Sequence, residues 1–133
     1  MKETLLCAFL AAAICLPSQL HAKDNEDRAC LIDGSFTVLG RTVKSKDCMQ
    51  SDPEEPEESF KQSCEKLANT SAILGGAAGK ITYMKQCKRP AQGICRGFLK
   101  TKRDAYYYGR LGSDLADLPS SCTRGGGRWS SGS

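Results

Sequence analysis

Six cysteines spread from Cys30 to Cys122 constrain this chain more than any other feature. They are Cys30, Cys48, Cys64, Cys87, Cys95 and Cys122. Two more, Cys7 and Cys15, lie in a 12-residue apolar stretch from Leu5 to Leu16 behind Lys2. That stretch has the length of a signal-peptide core, roughly 7–15 residues. It is too short for a membrane span, which needs about 20. Pro17 breaks it, and Leu20-His21-Ala22 offers a small residue at the cut. The reading is a signal peptide over 1–22 and one exported domain over 23–133, frayed at 23–29 and 130–133, with no transmembrane segment. Lipid attachment is disfavoured, because Leu6 and Ile14 rather than small residues precede Cys7 and Cys15.

An even cysteine count in a short exported chain reads as a disulfide framework. Six cysteines allow ~15 pairings, and spacing alone does not choose among them. A self-closed loop from Cys87 to Cys95, containing Pro90 and Gly93, is the preferred local guess. The physical need for crosslinks is plain. Only 17 of the 111 residues from 23 onward are Leu, Ile, Val or Phe. So few aliphatics cannot by themselves offset the conformational entropy of ordering the chain. Zinc is disfavoured, since no close Cys-x₂-Cys pair exists and the single histidine, His21, leaves with the signal. Thioredoxin-like redox chemistry lacks its Cys-x-x-Cys. No cofactor and no metal is expected.

The fold expected from local pattern is mainly α. It has three or four short helices and an irregular or short-hairpin N-terminal lobe. Asp33-Gly34 reads as a turn, while Phe36 and Val38 alternate with polar neighbours as in a strand. Asp52-Pro53-Glu54-Glu55, or Ser59 as a second start, opens a helix to about Asn69. Phe60, Cys64 and Leu67 share one of its faces, and Glu57 and Lys61 are spaced for an i,i+4 pair. Further helices are expected over Ala77–Cys87 and Arg96–Tyr108. A turn capped by Ser113 covers Asp114–Leu118 and stops before Pro119. The Thr70–Gly79 stretch lacks the spacing of a phosphate-binding loop, so Gly75, Gly76 and Gly79 read as packing or turn residues. Asn69-Thr70-Ser71 matches the N-glycosylation pattern and matters only in a eukaryotic secretory route.

Charge is polarised along the chain. Residues 23–66 carry a net −4 and residues 67–133 a net +8. Either the acidic helix lies across the basic half, or an anionic partner does. The basic half interleaves cations with tyrosines. Arg96, Lys100, Arg103, Tyr106, Tyr107, Tyr108 and Arg110 form the candidate interaction set. Without a histidine in 23–133, Ser-His-Asp and Cys-His catalysis are unavailable. No catalytic residue is assigned. The expectation is a non-enzymatic binding protein of the bacterial periplasm or the medium, recognising a protein or an anionic envelope polymer. Nucleic acid is disfavoured by the compartment. The alternatives are a small carboxylate-dependent hydrolase and a structural accessory protein.

Overall fold

The computed structural model describes residues 26–133. The expected signal segment, with Cys7, Cys15 and His21, lies outside them. The elements are β1 (Ala29–Val38), β2 (Arg41–Gln50), α1 (Glu57–Ile73), β3 (Lys80–Met84), β4 (Gly93–Arg96), a 3₁₀ turn (Phe98–Lys100), β5 (Asp104–Tyr107), α2 (Gly112–Arg124) and β6 (Arg128–Ser130). The six strands form one sheet in the order β3-β1-β2-β5-β4-β6, and all its neighbours are antiparallel. The mainly helical expectation is therefore overturned: the chain is mostly antiparallel sheet with two helices.

The error lies in two segments. Ala77–Cys87 was expected to be helical on the spacing of Ile81 and Met84, but Lys80–Met84 is the edge strand β3. Its β-branched and aromatic run Ile81-Thr82-Tyr83 suits a pleated surface. Ile81 and Tyr83 pack toward α1, and Met84 packs on the opposite side. Arg96–Tyr108 likewise splits into the end of β4, the 3₁₀ turn and β5. Tyrosines that could not all face inward on one helix alternate across the sheet instead. The Cys87–Cys95 loop is also overturned. The disulfides join Cys30 to Cys64, Cys48 to Cys87 and Cys95 to Cys122.

Each disulfide sits in its own small core. On one sheet face, Cys30, Ile32 and Met49 meet Phe60, Cys64 and Ala68 of α1. Behind the sheet, Ala29, Cys48, Cys87, Ile94 and Tyr106 form a second cluster. The third gathers Cys95, Ala105 and Cys122 beside Phe98, Tyr107 and Trp129. Three modest clusters, each closed by a covalent bond, replace the single large core that so few aliphatics could not build.

Local chemistry explains the helix limits. Asp52 makes a turn rather than a helix start, its Oδ1 accepting from the Glu54 amide at 2.9 Å. The helix begins after extended Pro56, with Glu57 and Glu58 in the first turn, where the helix dipole favours acids. The expected Glu57–Lys61 pair forms at 2.6 Å. Helix α2 does not stop before Pro119 but continues through it to Arg124, with Leu118 and Cys122 buried. An internal proline costs about 3 kcal/mol. The Cys95–Cys122 bond and the burial of Leu118 offset that cost. Beyond β6, the Ala91 amide donates to the Gly132 carbonyl at 2.9 Å.

The expected turn at Asp33-Gly34 lies within β1, and the hairpin reverses at Leu39-Gly40 instead. The register pairs Val38 with Arg41, leaving a two-residue loop. Both loop residues have positive φ, 51° and 76°. Gly40 accepts this at no steric cost, whereas Leu39 bears about 1–2 kcal/mol of left-handed strain.

Candidate anion-binding groove

The structure divides the seven candidate interaction residues among several places. Tyr106 is buried behind the sheet. Tyr108 donates its hydroxyl to the Lys88 carbonyl at 2.5 Å. Tyr107 faces the helices, stacked on Trp129 with centroids 5.8 Å apart. Burial first, then the Asp47 charge, pushes its phenol pKa up. The Arg110 guanidinium lies 5.4 Å from the Tyr107 ring and donates to both Asp47 oxygens, at 3.2 and 2.5 Å. Burial works against the Arg110 charge, but Asp47 outweighs it, and the net shift is upward. Arg110 and Tyr107 line a cavity of about 240 Å³ between α1 and the sheet, where the one carboxylate among the described lining residues is the paired Asp47.

Arg103 is engaged as well. Its Nε donates to Glu55 Oε2 at 3.0 Å, and its Nη2 donates to the other Glu55 oxygen. Acids from the N-terminal half therefore neutralise two arginines of the basic half. Asp47 comes from β2, and Glu55, which the expected helix start included, comes from the turn before α1. The hydrogen bond from Arg103 holds the Glu55 carboxyl below its ordinary value. A depressed carboxyl stabilises the fold above its unfolded pKa, about 4.3, and loses that contribution as pH falls through the folded value. Thermal melts between pH 7 and pH 3 are expected to show this acid loss. Glu55→Gln should melt lower at pH 7 yet lose less on acidification, and a parallel acid loss in the variant would refute the pair's role.

Arg96 and Lys100, the remaining two, meet at the end of the sheet opposite the hairpin tip. An open groove of about 800 Å³ runs there between the 96–104 segment, residues 50–53 and the 126–128 segment. Arg96 donates to Asp104 at 2.9 Å. Lys102 stands 3.8 Å from Glu54, with both side chains largely exposed. Lys100 and Arg128 form no ion pair among the described residues. Four cations thus line the groove against two carboxylates, Asp52 and Asp104.

The loop that presents Lys100 is strained and firmly pinned. Leu99 and Lys100 both have positive φ, 53° and 60°. Such residues cost of order 1–3 kcal/mol each and persist only where their surroundings hold them. Here the Gly97 amide donates to Asp104 Oδ1 at 3.0 Å, and the Phe98 amide donates to the Arg103 carbonyl at 3.1 Å. The Thr101 hydroxyl closes the turn on the Phe98 carbonyl at 2.7 Å. The Lys100 stem lies over Gly126, where a Cβ would fall 2.6 Å from its Cγ. A Cβ on Gly127 would fall 2.6 Å from the Cys95 sulfur and 2.9 Å from that of Cys122. The third disulfide therefore underlies the groove, and the glycines allow the close approach.

Arg128, Gly126 and Gly127 are absent from the sequence-derived set. The available signal was the glycine run Gly125-Gly126-Gly127 shortly after Cys122, which marks backbone approaching something closely. No group of three or more acidic, histidine or cysteine side chains among the described residues could hold a metal. No helix among them is long and apolar enough to cross a membrane. No protein-family model, curated protein or solved structure matches the chain.

Proposed function

We propose that this chain is an exported, non-enzymatic binding protein that recognises an anionic polymer through the 96–104/126–128 groove. The observation that carries this reading is the pair Lys100 and Arg128, which line one groove with no carboxylate partner among the described residues. Charge-assisted hydrogen bonds to carboxylate, sulfate or phosphate groups are the strongest contacts such side chains offer. None of the described residues that line the groove is aromatic, whereas stacking of nucleic-acid bases uses aromatic platforms. Its carboxylates are already committed, Asp104 to Arg96 and the Gly97 amide, Asp52 to the Glu54 amide. That supports a binder over a carboxylate-dependent hydrolase. Export, to a periplasm or a medium, is supported by three disulfides, which persist in oxidising compartments.

The test is titration calorimetry of the oxidised protein with heparin and with polygalacturonate. Lys100→Glu/Arg128→Glu is expected to weaken binding by about a hundredfold or more, from the loss of two charge-assisted contacts of ~1.5–3 kcal/mol each. Lys66→Glu/Arg89→Glu changes the net charge equally but away from the groove, and should stay within about threefold, since single exposed charges act weakly. Equal losses in both variants would reduce the effect to net charge and remove the groove's role. Absence of wild-type binding to either polymer would overturn the function.

A further inference from the structure

The end of the molecule opposite the groove has a different character. β3 pairs with β1 only over Ala29–Asp33, and β5 pairs with β2 only over Asp47–Gln50. The hairpin therefore runs on past its neighbours as a two-stranded arm. Leu39 stands at its tip, 99% exposed and at positive φ. A two-residue hairpin loop favours Asn, Asp or Gly at that position. A leucine there is strained and contacts little, so the fold does not account for it.

Chain direction brings more apolar side chains to this end. Helix α1 finishes here, and the following Gly76 lies against the Ser35 carbonyl and Phe36 Cα. Ile73 and Leu74 at that helix end are exposed. Helix α2 starts here, with Arg41 reaching Ser113 Oγ at 3.2 Å, and Leu111 beside that start is exposed. Of the six large exposed apolar side chains among the described residues, Leu39, Ile73, Leu74 and Leu111 share this end. All four are aliphatic. Arg41, Lys44, Lys46 and Lys80 lie along the strands that lead to this end, Lys46 and Lys80 both opposite Asp33 in register, and Arg41 stands 3.5 Å from Asp114.

We propose that this end docks on an anionic lipid bilayer, with Leu39 entering the acyl boundary and the cations meeting lipid phosphates. Charge complementarity selects an anionic surface. The purely aliphatic set selects lipid over protein, because protein hot spots favour Trp, Tyr and Arg and under-represent Leu. Aliphatic side chains need only apolar depth, and each cation near an anionic leaflet adds attraction that salt weakens.

The test is co-sedimentation of the full oxidised protein with vesicles of phosphatidylglycerol and phosphatidylcholine, against phosphatidylcholine alone. Binding is expected only to the anionic vesicles. Leu39→Asn suits the turn and so keeps the fold, checked by an unchanged or raised Tm. It should weaken partitioning by roughly tenfold, the loss of one buried leucine. Lys44→Glu/Lys46→Glu should weaken it similarly, while Lys100→Glu/Arg128→Glu should bind as wild type. The proposal is overturned if the wild type ignores anionic vesicles, or if Leu39→Asn binds unchanged. Loss in Lys100→Glu/Arg128→Glu would also overturn it, by assigning lipid phosphate to the groove. So would wild-type self-association abolished by Leu39→Asn, which would assign this end to a second copy of the chain.

Discussion

Cys30→Ala/Cys64→Ala is expected to lower the unfolding free energy by roughly 3–5 kcal/mol. The bond spans 34 residues, and closing a loop of that length removes nearly 4 kcal/mol of unfolded-chain entropy in the simple model. The other two bonds span 39 and 27 residues. Across that range the entropic value changes by only about 0.3 kcal/mol, so loop length does not rank the three. Burial does. Cys30 and Cys64 are both wholly buried, and their bond holds α1 on the sheet. A domain of this size has a total stability of about 5–15 kcal/mol. The double variant is therefore expected to be partly unfolded at 37 °C. Urea denaturation followed by far-UV circular dichroism measures it. A loss below about 1 kcal/mol would mean that apolar packing alone seats α1.

Phe60→Ala should cost about 3–5 kcal/mol, the usual range for deleting a buried aromatic ring. Phe60 is 0% exposed and packs in the cluster of Cys30, Met49 and Cys64. Repacking cannot easily fill the space, because the disulfide fixes two neighbouring side chains. Leu67→Ala is the contrast. Leu67 lies on the face expected from spacing but is 42% exposed, and its substitution should cost under about 1 kcal/mol. The same urea titration reads both variants. Similar costs would show that α1 packs through a broader face than Phe60, Cys64, Ala68 and Ser71.

Helix α1 shows how far local pattern reached. Phe60 and Cys64 were placed on its buried face, and the Glu57–Lys61 pair was legible from spacing alone. Spacing did not find the rotation of that face toward Ala68 and Ser71, because the partner surface of β1 and β3 sets it. The strands failed for a related reason. Ile81-Thr82-Tyr83 and Ala105-Tyr106-Tyr107 are too short for period 2 to be told from period 3.6. Only pairing with β1 and β2 makes them strands.

The candidate site divides in the same way. That the basic half contains more cations than it can pair internally was visible in the charge count. Which cations stay unpaired was not. Arg103 meets Glu55 across 48 residues and Arg110 meets Asp47 across 63. Lys100 and Arg128, without an ion pair among the described residues, share one groove because the third disulfide and the Gly126-Gly127 segment bring their loops together. By itself the sequence determined that this chain needs crosslinks, since an even cysteine count accompanies too few aliphatics for one core. The tertiary structure alone decided the pairing of those cysteines, the sheet, and the location of the free charge. Each of these depends on residues that chain folding brings together from far apart, and short-range periodicity carries no record of them.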